Sequence, residues 1–169
     1  MVFLGSTHFL SAQLKTDFAR HPLFKHLIGD WKSEGAFKNA AGAEVKITEE
    51  WSGKATSDDE FVMEGVRFIN GERQEYKWTF THNSTTGLYE ATHAVTTNGG
   101  ETKRFEASIS DADLTMELLY VGNGLSSISV KDSFPGTDRN TLESIVKLTG
   151  ESGETDLSGK MTHVRVKKP

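Results

Sequence analysis

The sequence predicts an all-β, mainly antiparallel protein: an up-and-down β-barrel of about ten short strands, preceded by a helical segment. From Gly29 to the end of the chain, apolar and polar residues alternate with the period of β-strands. Clusters of Gly, Asn, Asp and Ser interrupt this alternation about every ten residues, as hairpin turns do. We expect sequential strands to pair as a meander. Closure into a barrel removes the exposed edges of so long a sheet, and a two-sheet sandwich is the competing architecture.

From Phe9 to Ile28 the periodicity is helical instead. Leu10, Leu14 and Phe18 recur at four-residue spacing, which indicates a short amphipathic helix that ends near Arg20. A second turn or two begins at Pro22 and ends before Gly29. Its apolar residues are Leu23, Phe24, Leu27 and Ile28. We expect residues 1–28 to form a lid or plug on a barrel of residues 29–169, all within one domain.

Turn-forming residues separate ten strand-like runs. The runs begin at Trp31, Val45, Phe61, Tyr76, Leu88, Lys103, Leu114, Ser127, Leu142 and Met161. The turns include Asn70-Gly71, Asn98-Gly99-Gly100, Asp111-Ala112-Asp113, Gly122-Asn123-Gly124 and Pro135-Gly136-Thr137-Asp138. No crossover segment long enough for a parallel connection interrupts the series, so a parallel α/β sheet is disfavoured.

Composition and charge exclude several classes of protein. The net charge is −5, and the only basic cluster is Arg165, Lys167 and Lys168, so we expect no nucleic-acid partner. The chain has no cysteine, which excludes a disulfide framework, a thiolate nucleophile and a cysteine-ligated metal. The opening residues do not match a signal peptide and no membrane-spanning stretch follows them, so we expect a cytoplasmic protein. Whether it is a monomer or a homodimer is left open.

A family resemblance rests on the start of the first strand. Residues 27–35, Leu-Ile-Gly-Asp-Trp-Lys-Ser-Glu-Gly, place a Gly-x-Trp motif directly after the helical segment. This resembles the calycin superfamily, which includes lipocalins, fatty-acid-binding proteins and nitrobindins. From about His21 onward the chain is most similar to small bacterial calycin-like proteins with a short Met-Thr-x-x-Arg final strand, here Met161 to Arg165. The resemblance implies that Trp31 closes the barrel floor and that Arg165 packs over its indole ring.

Candidate site residues are polar groups that share the apolar face of a strand. In a barrel that only had to pack, burial of so many ionisable groups would be costly, so they indicate a wet or ligand-filled cavity. The ionisable candidates are Glu49, Arg67, His93, Asp132, His163 and Arg165, and the aromatic candidates are Trp51, Tyr76, Trp78 and Tyr89. The third strand is ambiguous, because apolar residues occupy both of its faces.

These residues predict a site for a small hydrophobic or amphipathic molecule. Its apolar body would contact the aromatic rings, and Arg67 or Arg165 could hold an anionic end through paired hydrogen bonds. In fatty-acid-binding proteins the last strand presents a charged residue and a hydroxyl to a carboxylate. His163 and Arg165 occupy similar places, although the tyrosine of that pattern is missing.

Three alternatives remain at this point. The resemblance to nitrobindins implies haem as a cofactor, with His163 as the ligand, although no other cofactor is expected. An enzyme would need an acid–base couple such as His93 with Asp132 or with Glu49, but no hydrolase elbow or phosphate-binding loop is present. A packed barrel that serves as an interaction module is the last alternative.

Overall fold

A computed structural model of the chain describes residues 17–97, 100–122 and 126–167. The described residues form ten strands that close into one antiparallel barrel, in which each strand pairs with its neighbours in sequence and β1 pairs with β10. The strands are β1 (Gly29–Asn39), β2 (Glu44–Ala55), β3 (Glu60–Ile69), β4 (Glu72–Asn83), β5 (Leu88–Val95), β6 (Thr102–Ser110), β7 (Thr115–Tyr120), β8 (Ser127–Ser133), β9 (Thr141–Thr149) and β10 (Thr155–Arg165). The predicted fold class and meander order are confirmed.

The observed strand boundaries differ from the predicted ones mostly where a strand begins with polar residues. β10 begins at Thr155 rather than Met161, and β4 begins at Glu72 rather than Tyr76. Leu114 was predicted to begin β7 but lies in the preceding turn with a φ of 50°. Polar residues near a hairpin extend the ladder without alternation, so apolar periodicity misses them.

The helical segment is shorter than predicted within the described residues. A 3₁₀ helix of three residues, Phe24–His26, follows turns between residues 18 and 23. Most of the predicted first helix lies in residues 1–16, outside the described part of the chain. In the described part of this segment, Phe18, Leu23, Phe24 and Leu27 are fully buried in the main hydrophobic core, and we call these four residues the plug.

The plug fills one end of the barrel with packed rings. Phe24 contacts Phe18 edge-on with their centroids 4.6 Å apart, and it also packs against Phe61 at 5.0 Å and Phe80 at 5.4 Å. Aromatic pairs at these separations contribute beyond the area they bury. No pocket-lining polar side chain belongs to this group, so this end of the barrel is a dry core.

Trp31 and Arg165 join the plug to the barrel wall. The Trp31 indole N–H donates to the carbonyl of Leu27, and its ring stacks on Trp51 with an interplanar angle of 9°. Arg165 lies over the Trp31 ring at 4.4 Å and donates to the carbonyls of Ile28 and His26. The contact implied by the family resemblance is therefore present, and Trp31 is a core residue.

The structure resolves the ambiguity of the third strand. Met63, Arg67 and Ile69 face the interior, whereas Phe68 on the other face is exposed. Gly65 also faces inward, and a Cβ there would lie 2.6 Å from Cβ of Trp51. Only glycine allows β3 to approach β2 this closely, which leaves room for the Trp51 side chain inside the barrel.

Candidate functional site

A cavity of about 300 Å³ occupies the barrel interior beyond the plug. Phe80 lies between the plug and the cavity, since it contacts Phe24 on one side and lines the cavity on the other. The lining extends to the strand ends opposite the plug, where it includes Ile69, Leu148 and Leu157. Large aromatic side chains form much of the wall. They are Phe37, Trp51, Tyr76, Trp78, Phe80 and Phe105.

One row of polar residues crosses neighbouring strands at the middle of the barrel. His163 on β10 pairs with Ser33 on β1, Ser33 with Glu49 on β2, and Glu49 with Arg67 on β3. Directly opposed residues on adjacent strands lie on the same face, so the register brings all four side chains to the interior. A second pair, Asp132 on β8 and Ser144 on β9, follows the same rule.

A continuous hydrogen-bonded chain connects these two groups. Ser144 Oγ lies 2.5 Å from Asp132 Oδ1 and 2.8 Å from Nε2 of His163. Nδ1 of His163 lies 2.5 Å from Ser33 Oγ, and the Trp51 indole nitrogen lies 3.1 Å from both of these atoms. Each of the five side chains thus has a partner inside the barrel.

The hydrogen-bond donors determine which atom donates and which accepts along this hydrogen-bonded chain. The Trp51 N–H can only donate, and both Ser33 Oγ and Nδ1 of His163 accept from it. Because Nδ1 is thus an acceptor, the Ser33 O–H donates to it. We therefore assign the proton of the neutral imidazole to Nε2, which donates to Ser144, whose hydroxyl donates to Asp132. Burial lowers the pKa of His163 to about 4, so the ring is neutral near pH 7. Asp132 is the acceptor at the end of the chain.

The Asp132 carboxyl is buried, and none of the described residues supplies it with a cationic partner. Burial raises its pKa to about 6, and the hydrogen bond from Ser144 opposes that shift. Only Oδ1 takes part in a hydrogen bond within the described residues, and the side chain lines the cavity. Because no buried oxygen without a partner occurs among the described side chains, the free Oδ2 faces cavity space.

Glu49 is a second interior carboxyl with a raised pKa. Its Oε2 accepts a hydrogen bond from the Tyr76 hydroxyl at 3.0 Å. Burial raises its pKa to about 7, the Tyr76 hydrogen bond and the charge of Arg67 lower it, and the charge of Asp132 raises it. Arg67 donates from Nε to Gln74, and its guanidinium carbon lies 5.5 Å from the centre of the Tyr76 ring. It therefore lies beside Glu49 without forming an ion pair with it.

His93 faces the cavity from β5. Its ring lies 4.5 Å from that of Trp78 and 5.9 Å from that of Tyr76. Burial, followed by the charges of Arg67 and Lys103, lowers its pKa to about 4. Within the described ranges neither ring nitrogen forms a hydrogen bond, so a neutral imidazole presents one donor and one acceptor to the cavity.

Most of the predicted site residues line this one cavity. They are Glu49, Trp51, Arg67, Tyr76, Trp78, His93, Asp132 and His163. Tyr89 and Arg165 do not line it. Tyr89 packs against Phe18 at the plug, and Arg165 lies over Trp31 outside the cavity. Both predictions placed the residue on the correct strand but at the wrong height, because alternation reports the face and not the depth along the barrel.

Sequence reasoning missed Ser33, Ser144 and Lys103. Ser33 follows Trp31 on the inward face of β1, and Ser144 lies between Leu142 and Val146 on that of β9. Alternation would have found both, but single hydroxyl groups on an apolar face carry a weak signal. The barrel register alone shows that they connect His163 to its neighbours.

The side chains do not fit two of the alternatives well. Axial ligation of haem by His163 needs a free ring nitrogen, yet both nitrogens are already hydrogen-bonded. His93 forms no hydrogen bond with Asp132 or Glu49 in the described part of the chain, so the predicted acid–base couples are not assembled. No group of three or more potential metal-binding side chains occurs among the described residues.

Comparison with solved structures shows the class of fold. An S-type phycobiliprotein lyase, CPES from Guillardia theta, matches with a TM-score of 0.65 and 12% identity over 86% of this chain and 92% of its own. Rv2717c from M. tuberculosis matches with a TM-score of 0.59 and 12% identity over 84% of this chain and 94% of its own. With the closed ten-strand barrel, these likenesses fit a calycin-like fold. At this identity they show the fold alone.

Comparisons by sequence found no matching family model and no matching curated protein. Among the described residues, no helix is long and apolar enough to cross a membrane.

Proposed function

We propose that the protein binds a small, mainly apolar or amphipathic molecule inside the barrel. The observation that carries this proposal is a cavity of about 300 Å³ with aromatic walls and a few polar side chains that face it. That volume is at the lower end of the usual range for ligand pockets, about 300–1,000 Å³. A barrel that only supports its own fold would not bury polar groups such as His93 and Asp132, for which the described residues supply neither a hydrogen bond to the imidazole nor a cation beside the carboxyl.

The position of the plug supports a ligand entrance at the opposite end of the barrel. Phe18, Leu23 and Phe24 fill one end of the barrel, whereas the lining reaches the strand ends at the other. The ligand would therefore enter between the turns opposite the plug and pass Lys103 before it reaches the polar groups at mid-barrel. The similarity to a phycobiliprotein lyase supports a calycin-like barrel as a suitable scaffold, because such barrels enclose ligand-sized spaces.

A matched pair of variants tests the proposal. Val130 lines the cavity and Lys131 points outward on the same strand. Val130→Trp should fill the cavity and abolish binding of Nile red, a neutral environment-sensitive dye, whereas Lys131→Trp should leave it unchanged. Circular dichroism checks that both variants fold. Equal dye binding by both variants would contradict the proposal.

Native mass spectrometry of freshly purified protein provides an independent test. A mass above that of the denatured chain would identify a retained ligand directly. Haem ligation by His163 stays a prediction, which the hydrogen bonds of both ring nitrogens do not favour. A wild-type protein that acquires no Soret band on incubation with haem would contradict it.

A further inference from the structure

Three polar groups in the cavity have unused hydrogen-bonding capacity. His93 is 8% exposed and Asp132 is 7% exposed, and both line the cavity. His93 uses neither ring nitrogen in a hydrogen bond with the described residues, and Asp132 uses only Oδ1. Glu49 uses only Oε2, which leaves Oε1 free. Two of the three groups are carboxyls, and the free oxygens of Asp132 and Glu49 are acceptors without a donor among the described residues.

Two cations, Arg67 and Lys103, line the cavity, but within the described residues neither forms an ion pair with these carboxyls, and Lys103 pairs with Glu101 instead. Neither Glu49 nor Asp132 forms an ion pair with any described residue, although Arg67 is the direct cross-strand neighbour of Glu49. Arg67 gives its Nε–H to Gln74 and lies over the ring of Tyr76 instead. A buried carboxylate without a cation is costly, and a positively charged ligand group would remove that cost.

The walls around the carboxyls suit a cation as well. Trp51, Tyr76 and Trp78 line the cavity, and Trp78 stacks on Phe80 with an interplanar angle of 20°. The faces of such rings attract organic cations, and desolvation strengthens the interaction. Carboxyl oxygens at mid-barrel and aromatic rings on the walls are the two elements that recognise an ammonium group on an apolar body.

We propose that the ligand is a small organic amine with an apolar, ring-containing body, whose protonated nitrogen binds between the carboxyls of Asp132 and Glu49. This inference rests on the proposed function, since it identifies the class of molecule that the same cavity takes. His93 accepts a further hydrogen bond from the amine or from a substituent beside it. The apolar body extends toward Ile128 and Leu148, which line the cavity nearer its entrance.

Calorimetric titration with three matched naphthalene compounds at pH 7.5 tests this inference. The compounds are 2-(1-naphthyl)ethylamine, 2-(1-naphthyl)ethanol and 1-naphthylacetate, which share the ring and differ in the charge of the end group. We expect the amine to bind at least about 10-fold more tightly than the alcohol, because charge-assisted hydrogen bonds are about twice as strong as neutral ones. The acetate should bind most weakly.

Variants of the carboxyls locate the preference. Asp132→Asn and Glu49→Gln should each reduce the affinity for the amine about 10-fold and leave that for the alcohol within about 2-fold. Unchanged alcohol binding shows that the cavity is intact. Glu50→Gln is the matched control, because Glu50 follows Glu49 on β2 but points outward to Lys32. It should leave all three affinities unchanged.

The pH dependence provides a second readout. The affinity for the amine should rise from pH 5 to pH 8 as the two carboxyls ionise, and that for the alcohol should stay constant. The other ionisable groups that face the cavity are Arg67, Tyr76, His93, Lys103 and His163. Burial lowers the pKa of both histidines to about 4 and raises that of Tyr76 well above its ordinary value. These three groups therefore keep one protonation state across most of this range.

The possible outcomes separate the two proposals. Equal binding of amine and alcohol would overturn the amine preference while the cavity remains a binding site. Tightest binding of the acetate, lost in Arg67→Met, would assign the polar end to an anion instead. If none of the three compounds binds and Nile red also fails to bind, the proposed function itself is wrong.

Discussion

The two ends of the barrel are built from the same alternating strands but have opposite interiors. At the plug end, Phe18, Phe24, Phe61 and Phe80 pack with ring centroids between 4.6 and 6.3 Å apart. At mid-barrel and beyond, aromatic walls surround an open volume with carboxyl, imidazole and hydroxyl groups. The plug end is therefore a dry core, while the remainder is arranged as a pocket.

This difference shows which part of the barrel stabilises the fold and which part lowers the stability of the free protein. Phe18, Leu23, Phe24 and Leu27 gain from burial, since each has only apolar atoms to desolvate, whereas burial lowers the pKa of His21 beside them. Glu49 and Asp132 each lose solvation when they ionise inside the barrel, and burial raises the pKa of both. Groups that destabilise the free protein while facing a cavity are typical of binding sites.

Truncation of the plug should produce the largest effect. Phe24→Ala removes a fully buried ring from a packed cluster and should lower the free energy of unfolding by about 3–5 kcal/mol. Phe105→Ala removes the same atoms beside an existing cavity, where the ring has fewer contacts on one side. We expect its cost to be smaller by about 1 kcal/mol or more. Urea denaturation of both variants measures the difference, and equal losses would contradict the comparison.

Removal of an interior carboxyl should stabilise the free protein in a pH-dependent way. The pKa of Glu49 is about 7 in the folded state, above its ordinary value of 4.5, so folding is favoured below about pH 4.5 and this contribution is lost as the pH rises through 7. The free energy of unfolding of Glu49→Gln minus that of wild type should therefore be larger at pH 8 than at pH 4, by up to about 3 kcal/mol.

Urea midpoints between pH 4 and pH 8 test this prediction. Glu50→Gln is again the control, because its ion pair with Lys32 is exposed and should contribute at most about 0.5 kcal/mol at any pH. A difference between Glu49→Gln and wild type that does not change with pH would show that Glu49 is not a desolvated carboxyl.

Replacement of Arg165 should have the smallest effect of the three and should leave ligand binding unchanged. Arg165→Met removes the contact over Trp31 and the hydrogen bonds to the carbonyls of His26 and Ile28. We expect a loss of about 1–2 kcal/mol in stability. Nile red affinity measured on the folded variant should equal that of wild type. Loss of dye binding would show that Arg165 contributes to the site, which would contradict its position outside the cavity.

The local pattern was sufficient for the order of the strands and for most of the lining. Alternation along β2 places Glu49 and Trp51 on one face, and alternation along β4 does the same for Tyr76 and Trp78. Each side chain of a strand points opposite to the next, so the inward set can be derived without knowledge of the partners. The plug residues Leu23, Phe24 and Leu27 were predicted from a short helical turn between Pro22 and Gly29, and the helix observed there is only one turn long.

Two properties of the side chains could be read only from the closed barrel: their position along the barrel axis and the residues that they contact. Nothing local distinguishes Tyr89, which packs on the plug, from Tyr76, which contacts Glu49 in the cavity. The two faces of β3 were equally apolar, and only its pairing with β2 and β4 assigns Arg67 to the interior.

The sequence by itself therefore determined a ten-strand meander, an apolar plug and the inward face of most strands, because side-chain alternation is a property of single strands. Only the tertiary structure decided that Asp132, Ser144, His163, Ser33 and Trp51 form one hydrogen-bonded chain. Ser33 and Trp51 lie on β1 and β2, far in sequence from the other three residues on β8, β9 and β10. The register of β1 on β10 that closes the barrel brings the two groups together.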